Sequence, residues 1–346
     1  MLTVILVVIA IGIVIFVHEL GHFTLAKLFG VKIETFSLGF GPEWLGFTKQ
    51  NTRYRVSVIP FGGYVKMSGE NPFETENVKP GDFMFLSWWK RIIIAFCGPL
   101  MNFLFALGLF MILMYSTGVL YPTNSSKIGI VIKDMPAYTA GLQTGDKIES
   151  INNESTASWN DVLNAIEVKK AKTLKFVIKR NEKIISFDIK PVFNKEYSSY
   201  MVGIGPEVGL RKLSVFESFW HSIKYLFYMC VMFLKSIFLV ITGKLKAEVM
   251  GPVGVVHSLG VAAKTGFVDF FNLLGIISIN LAFVNLLPLP ILDGGHIIVF
   301  TFEGIFKKSI SKEILQVVYV GGVLFFVDTH DFCNQTGYCK NIFRLI

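Results

Sequence analysis

The sequence predicts a polytopic α-helical membrane protein with about four transmembrane helices, a small β-rich loop at the membrane and an inserted α+β domain. Three observations carry this reading. Hydrophobic residues make up 52% of the 346-residue chain, with 33 Phe among them, too apolar for an ordinary soluble domain. The apolar residues gather in blocks, several near the length of about 20 residues that a helix needs to cross a bilayer. Between two such blocks, over 121–210, the chain turns charged and shorter in hydrophobic period. That stretch has the size of one small domain.

The first block, 2–17, reads LTVILVVIAIGIVIFV and holds no charge. It lacks the basic start and small-residue cleavage site of a signal peptide, so a retained first span over about 2–26 is expected. Residues 27–91 are polar and mixed. Within them RYRVSVIPFGGYVKM (53–67) alternates and is rich in β-branched and aromatic residues. That pattern predicts a strand pair or hairpin turning at Gly62–Gly63. The second span covers about 92–119, interrupted by GPLMN at 98–102, and closes a first region of 1–120.

Beyond the insert, the apolar run 216–242 carries Lys224 and Lys235. Eleven residues at about 100° each put both on nearly the same helix face. A helix lying at the interface explains this better than a lipid-facing span, so 211–262 reads as an amphipathic interfacial region. A span there would instead put the two termini on opposite sides. Residues 263–346 hold the last apolar runs, 270–292 and a short one at 314–327 that needs its flanks or a thinned bilayer. Cys97 and Cys230 sit in apolar segments as packing residues. Cys333 and Cys339 can pair only if their polar tail faces an oxidising compartment.

The net charge of +8 fits cytoplasmic flanks and anionic lipid. No basic stripe is interleaved with aromatics, so nucleic acid is not an expected partner.

The lower third of the first span carries His18, Glu19 and His22. Ionisable groups at membrane depth cost a few kcal/mol each, so a function must offset them. Histidines at i and i+4 share a helix face and can reach one metal. The glutamate beside the first can take a proton from a metal-bound water. H-E-x-x-H thus reads as two zinc ligands and a general base. A catalytic zinc takes three protein ligands as a rule. The third candidate is Asp293, in NLLPLPILDGGH (285–296), where Pro288 and Pro290 break an apolar helix.

HELGH at 18–22 together with NLLPLPILDG at 285–294 resembles the site-2 protease family of intramembrane zinc metalloproteases. FSLGFGP (36–42), RVSVIPFGGYVKM (55–67), AFCGPLMNF (95–103) and SINLAFVNLLPLP (278–290) resemble further segments of that family, so the likeness covers nearly the whole chain. It is strongest to the bacterial type that regulates sigma-E. The resemblance implies Zn2+ held by His18, His22 and Asp293, with Glu19 catalytic. It implies hydrolysis of peptide bonds in single-span membrane proteins, such as anti-sigma factors or signal-peptide remnants, usually after a first cleavage. It also favours a substrate-binding role for Asn285, near the metal, and less strongly for Asn280.

AYTAGLQTGDKIESINN (137–153) resembles the core signature of a PDZ domain, here a single copy over 128–191. Sigma-E regulators commonly carry two. PDZ domains take peptide tails by strand addition. Ser158 followed by Asp161 predicts a near capping box opening a helix.

Four spans would place the N-terminus and the insert outside, on the periplasmic face of a bacterial inner membrane. Residues 27–91 and Lys307, Lys308 and Lys312 would then be cytoplasmic, as basic short loops prefer. Two other classes use the same residues: a membrane metal transporter or sensor, and an inactive PDZ scaffold. The first leaves Glu19 and the insert without a role. The intact H-E-x-x-H and Asp293 argue against the second.

Overall fold

The computed structural model describes residues 2–71, 78–168, 172–194, 199–244, 252–307 and 310. The expected span at 314–327, Lys308, Lys312, Cys333 and Cys339 lie outside them. The chain divides into two compact units: Met1–Met114 with Val215–Ile346, and Tyr115–Ser214.

In the first unit the uncharged N-terminal block forms α1 (Leu2–Leu28), which continues through the histidines. Two long strands follow, β1 (Ile33–Lys49) and β2 (Thr52–Met67), paired antiparallel. Gln50 and Asn51 join them with φ of 49° and 62°. Two residues at positive φ make the tight turn whose twist matches the flanking strands. The hairpin turn is therefore at 50–51, and the one expected at Gly62–Gly63 is corrected: β2 runs through that pair and bends there. The bend lets residues 35–38 lie between two arms of β2, with Phe36 opposite both Tyr54 and Val65.

The second long helix, α2 (Trp88–Thr117), contains Pro99 without a break. The interruption expected at 98–102 is absent because a membrane helix tolerates proline where neighbouring groups satisfy the freed backbone.

The second unit opens with β3 (Val119–Pro122), β4 (Ile128–Val131) and the short α3 (Pro136–Ala140). A four-stranded antiparallel sheet is built from β5 (Lys147–Ile151), β6 (Glu154–Ser155), β7 (Leu174–Arg180) and β8 (Lys183–Ile189) in the order β6-β5-β7-β8. Helix α4 (Trp159–Val168) covers it. Leu174, Phe176 and Ile178 alternate along β7 and are fully buried against Val162 and Ile166 of α4. The helix starts at a reciprocal cap: Ser158 N–H donates to Asp161 Oδ2 at 2.8 Å, and Asp161 N–H donates to Ser158 Oγ at 3.3 Å. Those bonds hold the Asp161 carboxyl below its ordinary pKa.

The unit closes past residue 191, where the expected core ended. Its last strands are β9 (Val192–Asn194), β10 (Ser199–Met201), β11 (Ile204–Pro206) and β12 (Val208–Arg211). β11 pairs with β4 and β12 with β3, and Val202 is in the core.

The first unit resumes with α5 (Val215–Ile241), α6 (Pro252–Thr265), α7 (Phe267–Asn285) and α8 (Asp293–Phe306). α1, α2, α5 and α7 are the described helices long and apolar enough to cross a membrane. Val7, Ala10 and Val14 of α1 pack with Leu109 of α2, Leu259 of α6 and Phe270 and Leu274 of α7. α5 lies lengthwise on α7, with Tyr225 Oη donating to Asn272 at 3.1 Å and Phe233 stacked on Phe283.

Arg91 of α2 and Glu303 of α8 form a buried pair, Nη1 to Oε2 2.9 Å, with the guanidinium over the Phe300 ring. Glu303→Ala strands a buried cation and should cost about 3–5 kcal/mol, while Arg91→Met with Glu303→Leu should cost far less. Thermal unfolding in detergent compares the two.

Candidate metal centre

The site joins two ends of the chain. His18, Glu19 and His22 sit on the last third of α1. Asp293 is the first residue of α8, after the proline-broken stretch that ends α7. His18 and His22 are buried and Asp293 is half-buried. Their ligand atoms all lie within 4.8 Å of one another. The two Nε2 atoms are 3.2 Å apart. His18 Nε2 is 3.1 Å from Asp293 Oδ2, and His22 Nε2 is 3.4 Å from Asp293 Oδ1.

These separations test whether zinc fits. Bonds of about 2.0–2.1 Å to a tetrahedral zinc put neighbouring ligand atoms about 3.3–3.4 Å apart. The histidine–histidine edge and each histidine–carboxylate distance are near that size, the latter two ending on different oxygens of Asp293. Asp293 Oδ2 is buried and accepts no hydrogen bond, as expected of an oxygen aimed at a cation. Two imidazoles and one carboxylate are also a donor set that zinc accepts, with a fourth position left open.

The surroundings fix the imidazole orientations. His22 Nδ1 donates to the Ile94 carbonyl at 2.8 Å, which leaves the Nε2 lone pair free. His18 Nδ1 faces the Asn102 side-chain amide at 3.3 Å. Asn102 is fully buried and its Oδ1 has no partner. The amide orientation that satisfies both groups turns Oδ1 toward Nδ1–H, which frees His18 Nε2 as well. Ser278 of α7 donates to the Asn102 carbonyl at 2.9 Å and ties this support to the third helix.

Asn285, the last residue of α7, brings its Nδ2 to 3.2 Å from His18 Nε2. Asn280 is not brought to the cluster. Five residues earlier on α7, it stands about 140° around the helix from Asn285. Glu19 is half-buried beside the first histidine, and its carboxylate accepts from the backbone N–H of Val65 in β2.

Three participants were not singled out from the sequence. Asn102 and Gly98 are four apart in GPLMN, on one helix face. That spacing was the available signal. Val65 gave none, because its part is played by backbone. Gly98 matters by what it lacks: a Cβ there would lie 2.3 Å from His22 Nε2 and 2.8 Å from His18 Cε1. Gly294 and Gly295 behave alike, since a Cβ on either would strike carbonyl oxygens of 286–289 at 2.1–2.4 Å. The LDGG run is thus what lets α8 start close enough to deliver Asp293.

A histidine pair with a neighbouring glutamate, completed by an aspartate across a helical bundle, defines a metallopeptidase site set among apolar helices. Residues 6–328 match the model of peptidase family M50. The chain belongs to this family. It is 35% identical to a zinc metalloprotease of Clostridium acetobutylicum over 90% of this chain and 89% of that protein. It is 28% identical to the regulator of sigma-W protease RasP of Bacillus subtilis, over 93% and 95% respectively. The insert aligns with the crystal structure of a PDZ domain from an SdrC-like protein of Listeria monocytogenes. That match has 26% identity over 25% of this chain and 90% of that one, with a TM-score of 0.22. The protein is an intramembrane zinc metalloprotease.

Gly98→Ala should push both imidazoles off the shared point and lower bound zinc well below one per chain while helix content holds. Metal analysis beside circular dichroism measures both.

Proposed function

We propose that His18, His22 and Asp293 hold the zinc and that Glu19 is the general base for peptide-bond hydrolysis. The observation that carries this reading is the convergence of His18, His22 and Asp293, whose ligand atoms lie within 4.8 Å of one another, with Glu19 next to His18 on the same helix. A bound zinc supplies polarisation of the scissile carbonyl and a water acidified to near neutrality. Glu19 takes the proton of that water and delivers it to the leaving amine nitrogen. Asn285 offers its amide to the developing oxyanion or to substrate backbone. Asn280, turned away, serves an unwound substrate further along α7.

The substrates are single-span membrane proteins, anti-sigma factors or signal-peptide remnants among them, cut after a first cleavage. A membrane helix protects its own amides by hydrogen bonding, so the substrate must unwind before attack. The arm of β2 at 63–67 suits that task. It is a sheet edge, and the Val65 N–H points away from β1 toward Glu19. An extended substrate can pair there beside the base. The PDZ-like insert filters substrates by size or by peptide tail and takes no part in the chemistry.

The site also bears on topology. It joins the C-terminal third of α1 to the residues just past α7, so those helices run in the same direction. Gly98 and Ile94, early in α2, meet His22, so α2 runs oppositely. In this reading α5 with α6 makes no net crossing. We place the N-terminus and insert on the periplasmic side, with the 27–91 segment and Lys307 cytoplasmic. A cysteine introduced at Lys307 should be labelled only from the cytoplasmic face.

Glu19→Gln should retain about one zinc per chain and lose about 10²–10⁴ in rate. His22→Ala should lose metal and activity together. Cleavage of a single-span reporter in detergent, with metal analysis on each variant, reads both. Wild-type rates from Glu19→Gln would remove Glu19 from the mechanism. Removing the insert should spare a short, pre-trimmed substrate and admit longer ones. The deletion should span 119–211, since a cut at 128–191 removes β4 and leaves its partner β11 unpaired.

A further inference from the structure

The two-stranded ribbon of β3 and β12 has an unpartnered apolar face. Its register pairs Val208 with Pro122 and Leu210 with Leu120. Alternate residues of a strand share a face, and directly opposed residues do too, so Leu120, Pro122, Val208 and Leu210 form one surface. All four are exposed, Leu120 at 71% and Leu210 at 62%. Nothing polar interrupts them. The strand pairing itself is complete, so the face has no structural task within the ribbon.

Chain length says where this face lies. Gly118 alone separates α2 from β3, and three residues separate β12 from α5. Three extended residues reach only about 10 Å. Trp88 and Tyr115 stand at the two ends of α2, 27 residues apart, or about 40 Å along a helix. That is the thickness of a bilayer with its headgroups, and Trp and Tyr are the residues that collect at headgroup level. Tyr115 therefore marks the membrane surface, and the ribbon begins four residues later. Arg211 and Lys212 are exposed at the end of β12.

We propose that the face formed by Leu120, Pro122, Val208 and Leu210 is a lipid-docking surface, seated at the boundary of headgroups and acyl chains. The ribbon anchors the root of the insert to the bilayer on whichever side the insert stands. Its occupant is lipid, because the face is continuous in sequence with two helices of membrane length and lies within a few residues of both.

The test uses the full-length protein in vesicles of phosphatidylcholine and phosphatidylglycerol. Spin labels are placed at Leu120→Cys and Leu210→Cys in a chain whose own cysteines are replaced. Ile184→Cys, exposed at 74% on β8, is the aqueous reference. At 120 and 210 collisions with oxygen should rise, and those with a water-soluble nickel chelate should fall several-fold against position 184. Nickel collisions equal to those at 184 would overturn the proposal. So would exclusion of both reagents, which would mean a protein partner or a second copy covers the face. Leu210→Trp in the otherwise unaltered chain gives an independent reading. Its added emission should be quenched by lipids brominated high in the acyl chain, and an unquenched signal would equally refute lipid contact.

Discussion

Everything in the membrane unit is organised around one meeting point, where two imidazoles and a carboxylate face one another among apolar helices. Three such groups brought within van der Waals range without a cation would leave lone pairs opposed and an Asp293 oxygen unpartnered in a buried setting. The zinc proposed at these residues would resolve that conflict. The geometry also requires the end of α1 to meet the start of α8, and the two are separated by most of the chain. Helix directions, the glycines that permit close approach and the proline-broken stretch after α7 all follow from that requirement.

The supporting groups are as informative as the ligands. His22 is oriented by a backbone carbonyl of α2, and His18 by Asn102, also on α2. Asn102 is in turn tied to Ser278 of α7. Three helices thus share one polar network. A buried network of this kind is stabilising only when each member is satisfied. That makes the register of α1, α2 and α7 a condition for metal binding rather than a consequence of it. The buried Arg91–Glu303 pair does the same for α8, locking the helix that begins with Asp293 against the start of α2.

In the proposed function the β-sheet and the insert divide the handling of substrate. The bent pair β1 and β2 brings backbone, rather than side chains, to Glu19. An extended chain presents the same backbone groups whatever its sequence, so an edge of this kind recognises conformation. The insert has its own hydrophobic core, and the proposed selection by size or tail is assigned to it. Its root is a ribbon with one exposed apolar face.

The local signals in the sequence were strong where spacing and composition act on one element. The uncharged block before His18, the i and i+4 histidines, the prolines after Asn285 and the Ser158–Asp161 cap each depend on neighbours within a helical turn, and each was legible. Errors arose where the outcome depended on partners far away. Gly62–Gly63 has the composition of a turn, but pairing along β1 carried β2 through it and left the turn to Gln50–Asn51. Pro99 has the signature of a break, yet packing kept α2 whole. The PDZ-like core expected at 128–191 lies inside an insert of 121–210, and the strands that close the unit by pairing with its first strands, β11 and β12, lie past that core and carry no local mark. Asn102 and Val65 are ordinary residues until the fold puts them beside His18 and Glu19. By itself the sequence determined the chemistry available, namely which groups could bind zinc and move a proton, because that is a property of residue type and short spacing. Only the tertiary structure decided which distant groups would converge, because convergence is set by helix direction and close packing over the whole bundle.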